Sequence, residues 1–381
     1  MADVCNRNCS FYGPYLNSKN FNKNQIVKGQ DVIAYTYIGI GILGCLLNII
    51  VLFTLLKFQL TKSNVFRMLL RNLALADFLS SIGVILVGAK TLIIIDVISN
   101  LKSLSDSLDE KILASLTNMC RASYVIFFIT NFLSGLTITV MAVERYLVII
   151  VRKFRGLYQN DLKPWKLYVL LAGIWATAIA GSIPYFISFE ITDRVNNRCF
   201  FSIDTSMVSC IYNIILTIST TSVLCVAPSF VMVFCYFKIA RYLFSHRRPD
   251  TEVNRRRNGQ NFTADKQAGL ISILIAIFFI LSMTPFMAYL IFVSINYCNA
   301  DEVIVYWINS KSYFWITAHE IAHYLFILPP IINPLCYSFS STQFRRAINF
   351  SCKDKLKKTR MAINLSLPSF RRESRTLSTS F

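Results

Sequence analysis

The sequence predicts an all-α integral membrane protein, a seven-transmembrane helix bundle followed by an amphipathic helix after the seventh span. Three observations carry this prediction. Of 381 residues, 54% are hydrophobic and only 15% charged, with mean hydropathy +0.50, a balance that soluble domains rarely show. The apolar residues fall in seven blocks, roughly 33–56, 68–95, 119–150, 167–189, 208–244, 268–297 and 313–339. Each block holds an apolar run of about 20 residues, enough to cross a hydrocarbon core of roughly 30 Å. Charge also alternates between the joining segments. Segments 57–66, 147–166, 245–266 and 341–381 carry 23 Lys and Arg against 6 Asp and Glu, whereas 1–32, 96–118, 190–207 and 298–312 carry 9 against 11.

Positive residues collect on the cytoplasmic side of membrane proteins, which places the amino terminus outside and the tail inside. The net charge of +19 is then mostly topology, with anionic lipid and cytosolic partners as further readings and nucleic acid set aside. Residues 1–15 lack a basic-then-apolar leader, so the first span is expected to act as its own insertion signal. The domains expected are an extracellular amino terminus (1–32), the bundle (33–340), a juxtamembrane amphipathic helix (341–352) and a disordered cytoplasmic tail (353–381). Cys5, Cys9, Cys120, Cys199 and Cys298 fall on the outer side, where disulfides persist, while Cys45, Cys225, Cys235 and Cys336 lie inside spans as small apolar packing residues. Cys210 is left unassigned at the outer edge of the fifth span. Asn8-Cys9-Ser10 is an outer glycosylation sequon; Asn261-Phe262-Thr263 fits the same pattern on the cytosolic side.

The spans identify themselves in order. Asn48 lies in GILGCLLNIIVL of the first and Asp77 in LLRNLALADFLSS of the second. Polar groups at such depths are expensive and mark function by default. Asn48, Ser134 and Asn333 fall at depths similar to Asp77 and are placed to surround its carboxyl; the alternative is a protonated, structurally satisfied Asp77. The third span carries Cys120 at one end and Glu144-Arg145-Tyr146 at the other, 25 residues and about 37 Å later at 1.5 Å per residue. In NPLCYSF of the seventh, Pro334 breaks the helix ladder and Tyr337 lies toward the cytosol. STQFRRAINF beyond it is amphipathic, and Cys352 follows near the membrane surface.

These motifs resemble the rhodopsin-like G-protein-coupled receptors over about residues 33–352. The resemblance rests on GILGCLLN, LALAD, Cys120 with ERY, Trp175 in GIW, Pro228 with Tyr236, Phe279 and Pro285 in FFILSMTPF, and NPLCY with Phe344. Singly each is weak; together, in order and orientation, they are specific, and they leave transporters and channels little room. The resemblance implies a receptor without chemistry of its own, promoting GDP/GTP exchange on a heterotrimeric G protein. It implies that Cys120 pairs with Cys199, and that Asp77, Ser134 and Asn333 line a water-filled site holding sodium as an allosteric modulator. Pro329 and Pro330 stand where relatives more often place polar or small residues near that site. Arg145 is implied as the coupling residue, paired at rest with Glu144 and with Asp265 at the base of the sixth span. A charge network of this kind serves as a bistable latch. In the open form Arg145 turns toward Tyr236. The competing reading is that Arg145 only anchors its helix end to lipid headgroups.

Two departures bear on the ligand. Relatives often carry a tryptophan two residues before the sixth-span proline, where this chain has Met283, flexible and without an indole plane. Amine receptors hold their ligand with an aspartate where this chain has Phe127, and opsins attach retinal at a lysine where it has Ile327. Neither an amine receptor nor an opsin is expected. The pocket candidates are Phe127, Phe128, Asn131, Thr220, Thr221, Met283, Phe286 and Met287, with Leu290 as a further apolar wall. Threonines in spans often bond back to their own helix, so each is weak alone.

Residues 319–323, HEIAH, add His319, Glu320 and His323. Two histidines four apart on a helix, with a glutamate between, form the zinc-metalloprotease pattern. An intramembrane metalloprotease is therefore the alternative function. It needs a third ligand, and the remaining histidine, His246, lies on the cytosolic side. The motif instead falls ten residues before Asn333, where relatives contact ligand. Packing against a neighbouring helix, and modulation by zinc or protons, stay open.

The outer segment 96–118 is long, with leucines at 101, 104, 108, 113 and 116 suited to a short amphipathic helix. Asp106, Asp109 and Glu110 suit a basic peptide or a solvated face. The segment around 298–312 is also long, and the pair favours a peptide ligand. In the tail, Ser374, Thr376 and Ser378 are candidate phosphosites beside Arg371 and Arg372, with Ser366, Ser369, Thr379 and Ser380 as further ones. The resemblance implies arrestin recruitment by such phosphates. Thr379-Ser380-Phe381 fits a PDZ ligand, and Cys352 beside Lys353 and Lys355 a palmitoylation site.

Overall fold

A computed structural model describes residues 23–58, 63–101, 110–151, 164–191, 199–201, 207–245, 252–296, 313–340 and 344–347. The chain is helical, as the apolar blocks require: in hydrocarbon every backbone group must be paired within its own segment. In chain order the elements are α1 (Lys23–Lys57), α2 (Asn64–Leu101), α3 (Glu110–Tyr146) continuing into a π-helical turn at Leu147–Val151, and α4 (Pro164–Ser188). A short antiparallel hairpin, β1 (Phe189–Ile191) and β2 (Cys199–Phe201), pairs Ile191 with Cys199. The fifth span is α5 (Met207–Thr221), a π-helical stretch at Ser222–Val226 and α6 (Ala227–Ser245). The sixth is α7 (Glu252–Asn296), and the seventh is divided into α8 (Tyr313–Ile327) and α9 (Pro329–Ser340).

Among the described residues, six helical stretches are long and apolar enough to cross a membrane: Asp31–Lys57, Asn64–Ile93, Thr117–Ile150, Trp165–Ile183, Ile214–Tyr242 and Gly269–Phe292. The seventh span is present in two pieces, and prolines explain the break. Pro329, Pro330 and Pro334 offer no N–H to the carbonyls of Leu325, Phe326 and Pro330. The Leu328 amide turns back to the Leu325 carbonyl at 3.3 Å, and the amides of Ile331 and Ile332 share the Leu328 carbonyl at 2.9 and 3.1 Å. Asn48 Nδ2, from the first span, donates to the Pro330 carbonyl at 2.7 Å.

The helices close into a bundle with α3 at its centre. α1 packs along α2, α2 along α3, and α3 touches α4, α6, α7 and the hairpin, while α9 returns against α1, α2 and α7. Phe128, Phe132, Leu133, Ile138, Phe279 and Phe326 fill the middle, each fully buried. The outer surfaces are apolar instead: Leu43, Leu46, Ile50 and Phe53 on α1, and Phe230, Val233 and Phe237 on α6, are exposed. Such rows of exposed large side chains suit lipid and not water.

At the described ends of residues 96–118, α2 runs on to Leu101 and α3 begins at Glu110, while the middle of the expected short helix, 102–109, lies outside the described residues. No glycine or proline stands between 89 and 118 to stop either helix. Likewise α7 starts at Glu252, inside the segment expected to join the fifth and sixth spans. Residues 344–347 are helical, with Phe344 and Ala347 buried and Arg345 and Arg346 exposed, the amphipathic pattern expected there.

The closest backbone approach joins α1 and α2 through glycines. A Cβ at Gly41 would lie 2.7 Å from the Ser81 carbonyl oxygen, and one at Gly88 2.7 Å from that of Ala34. Small residues of this kind let membrane helices meet backbone to backbone. Gly41→Ala and Gly88→Ala should each cost about 1–3 kcal/mol, the usual range for overpacking. Gly39→Ala and Gly173→Ala, where nothing lies within 4 Å, should stay within about 0.5 kcal/mol of wild type. Thermal melting of the purified chain in nanodiscs reads the contrast.

Candidate functional site

A buried polar layer crosses the bundle at Asp77. Its Oδ1 accepts from Ser134 Oγ at 3.0 Å and its Oδ2 from Asn333 Nδ2 at 2.9 Å. One carboxyl thereby joins the second, third and seventh spans, as their matching depths foretold. Asn48 takes a different part. It is fully buried, but its Nδ2 donates to the carbonyls of Gly44, at 2.9 Å, and Pro330, leaving Asp77 to the others. The proline-broken span exposes a carbonyl that only a side chain can reach, and the amide goes there. Asn48 Oδ1 and Ser80 Oγ are buried without a hydrogen-bond partner, and Ser80 follows Asp77 by three residues, on the same helix face.

A second polar chain runs nearby. Asn72 Nδ2 donates to Thr137 Oγ1 at 2.8 Å, and Trp175 Nε1 donates to Asn72 Oδ1 at 3.0 Å. This gives the tryptophan of GIW a physical role: it ties α4 to α2 and α3. The sequence reading passed over Asn72, although it stands in the same LLRNLALAD run as Asp77.

At the end of α3, Arg145 is held in a clamp. Its Nη2 donates to Glu144 Oε1 at 2.6 Å, its Nε is bonded to Oε2, and the guanidinium carbon lies 4.1 Å from the centroid of the Phe66 ring. Glu144 Oε1 also accepts from Ser63 Oγ at 2.8 Å, while that oxygen accepts the Phe66 amide at 3.2 Å and caps the start of α2. Arg145 is 1% exposed, so it is folded inward and does not reach toward headgroups. Tyr236 is buried, and Tyr146 lies against Phe234 with centroids 6.1 Å apart. Pro334 is buried within α9.

Toward the opposite end of α3, which carries a buried, disulfide-bonded Cys120, a narrow cavity opens between spans. Phe127, Phe286 and His323 line it, with Tyr37, Tyr124 and Val84. Val87, Phe326 and Ile327 complete the wall. Phe286 stacks on Phe326 at 4.1 Å and meets the edge of His323 at 4.8 Å. The other expected pocket residues stand apart from this cavity. Phe128 stacks on Tyr185 at 4.2 Å, and Met283 and Met287 are buried in the core. Asn131 Nδ2 donates back to the Phe127 carbonyl at 2.9 Å. Thr220 bonds its own helix at Leu216 and shares a 3.1 Å hydrogen bond with Tyr185. Thr221 is buried. None of these lines the cavity; Asn131 and Thr220 satisfy their polar groups within their own helices, which is easier than reaching across.

Glu320 is half-buried one turn from His323 on α8. Asp265, His319 and Tyr337 lie in α7, α8 and α9, and their side chains fall outside the described residues, as do Asn8, Cys352, Ser374, Thr376 and Ser378. Cys199 opens β2. Among the described residues no cluster of His, Cys, Asp and Glu could hold a metal ion.

Residues 47–337 match the family described as 7 transmembrane receptor (rhodopsin family). The chain belongs to that family. It is 24% identical over 331 residues to human (Homo sapiens) CX3C chemokine receptor 1, covering 84% of this chain and 78% of that one. The rat (Rattus norvegicus) CX3C chemokine receptor 1 is 25% identical over 228 residues, 60% of this chain and 57% of that one. Squid rhodopsin shares the fold with a TM-score of 0.58 and 22% identity, covering 86% of this chain and 87% of its own. The family is one of receptors and not enzymes, which sets the metalloprotease reading of HEIAH aside.

The Pro330 carbonyl supplies a test of the polar layer. Asn48→Leu removes its donor and should cost about 1–3 kcal/mol, the penalty of a buried unpaired acceptor. Melting of the purified variant in nanodiscs checks this; unchanged stability would mean that water replaces the amide.

Proposed function

We propose that this receptor, its amino terminus extracellular, binds an extracellular ligand and promotes GDP/GTP exchange on a heterotrimeric G protein. The observation that carries the proposal is the Arg145 clamp. A guanidinium at the end of the central helix, bonded to Glu144 and laid on Phe66, has the character of a closed latch. Releasing it opens the end of the bundle where segments 57–66, 147–166 and 245–266 carry their positive charge, the side assigned to the cytosol.

The ligand enters from the other end, at the cavity lined by Phe127, Phe286 and His323. The length of segments 96–118 and 298–312 supports a peptide ligand, and the two mammalian relatives above are named as chemokine receptors. Cys199, at the start of β2, is the partner we assign to Cys120, tying the hairpin over α3.

The Asp77 layer fits a sodium ion. A carboxylate and the Ser134 hydroxyl are oxygen donors already converging, and Asn48 Oδ1 and Ser80 Oγ are buried acceptors without partners. Bound there, the ion would neutralise the Asp77 carboxylate. Arrestin, after phosphorylation of Ser374, Thr376 and Ser378, and a PDZ-domain protein at the carboxyl terminus are proposed as tail partners.

Nucleotide exchange on a panel of G proteins, with the purified chain in nanodiscs, tests the reading. Arg145→Ala should abolish exchange. Glu144→Gln, which weakens the clamp by one charge-assisted hydrogen bond of about 1.5–3 kcal/mol, should raise ligand-independent exchange at least about tenfold. Exchange indifferent to both substitutions would remove Arg145 from the coupling role.

A further inference from the structure

Beside the cavity wall stands a cation with no counter-ion among the described residues. Lys90, three residues beyond Val87 on α2, is 4% exposed. Its Nζ lies 4.8 Å from the centroid of the Tyr124 ring, and Tyr124 and Val87 both line the cavity. Among the described residues, Lys90 makes no salt bridge or hydrogen bond. Buried ammonium groups are ordinarily paired, because burial of an unpaired charge is costly. A ring face offsets about 2 kcal/mol of that cost when desolvated. A lysine serving only as a membrane anchor extends its head to the interface, and this one is instead enclosed.

The surroundings do not supply the missing charge. His323, within electrostatic reach of Lys90, is a cavity residue that brings no negative charge. Glu320, one turn along α8, lies within electrostatic reach of Tyr37 and Tyr324. Tyr37 and Tyr124 contribute hydroxyls, and the remaining wall is valine, isoleucine and phenylalanine. An enclosed positive charge at the margin of an apolar cavity is complementary to one kind of ligand end: an anion carried on an apolar body.

We propose that this cavity takes a carboxylate on an apolar chain, with Lys90 as its counter-ion and Tyr37, Tyr124 and His323 as the polar groups around it. The inference rests on the ligand-binding reading given above and assigns the ligand its charge. Two sources share this chemistry, a free fatty acid and the carboxyl terminus of an apolar peptide. The cavity is narrow, so short probes are suitable.

Binding to the full chain in zwitterionic nanodiscs is measured by calorimetry for two matched pairs: decanoate with methyl decanoate, and the peptide Leu-Leu-Val-Phe with its amide. In at least one pair the acid should bind about tenfold or more tightly than its neutral partner, the worth of one charge-assisted hydrogen bond. The pair that shows the preference identifies the source. Lys90→Met should abolish the preference and Lys90→Arg retain it, both with unliganded melting like wild type. The inference is overturned if neither acid is preferred, if neither binds, or if Lys90→Met keeps the preference; Lys90 is then only a packing cation on Tyr124. A G-protein exchange assay separates the two readings. Acid binding without exchange would leave this inference standing and count against the receptor mechanism, whereas Arg145-dependent exchange with no acid preference would do the reverse.

Discussion

Hydrocarbon offers no hydrogen bonds, so every polar group inside this bundle must be answered by another part of the protein. That constraint organises the structure. Asp77 recruits Ser134 and Asn333, Asn72 recruits Thr137 and Trp175, and the Pro330 carbonyl recruits Asn48. Each bond joins different spans, so the polar layers set the register in which the apolar surfaces pack. Dispersion among side chains alone, with lipid as apolar as the core, would fix that register much less firmly.

The seventh span shows the same constraint acting on the backbone. Three prolines remove three amide donors within six residues, which in an isolated membrane helix would be prohibitive. Here the damage is contained by a tightened turn at Leu328 and by a side chain from the neighbouring first span. The broken span is therefore stable only in company, with α1 and α2 against it. This also couples its position to that of Asn333, which holds Asp77.

Much of this was legible in the sequence, for reasons that can be named. Mid-span polar residues are few and costly, so Asp77, Ser134 and Asn333 stood out, and their depths foretold their meeting. Arg145 and Glu144 were adjacent and opposite in charge. The cavity was harder, because a polar residue in a helix can satisfy itself locally. Asn131 and Thr220 do so, and nothing in their sequence context distinguishes them from ligand contacts. Phe127, Phe286 and His323 do line the cavity, while its Tyr37 and Tyr124, and Lys90 beside it, did not stand out. Lys90 carried a signal all the same: VGAKTLIII is apolar on both sides of the lysine, the pattern that singled out Asp77. Phe66 carried none, since its role over Arg145 depends on how α2 is capped by Ser63.

How the cavity communicates with the clamp follows from what packs between them. Met283 offers no rigid plane for a ligand to push, but Phe286, one turn nearer the cavity, stacks on Phe326 and touches His323. One turn the other way, Phe279 fits against Gly135 so closely that a Cβ there would lie 2.6 Å from its ring. The sixth span is thus keyed to the third by an aromatic in a glycine notch, and to the seventh by an aromatic stack at the ligand end. On the proposed reading, a ligand that displaced Phe286 would shift α7, and Phe279 would leave or keep its notch with little room between. That discreteness is what a switch requires. The energy demanded is modest: opening a clamp worth about 1.5–3 kcal/mol needs a ligand that prefers the open state by about ten- to a hundredfold. A charge pair formed with Lys90 in only one arrangement of the spans is of that size.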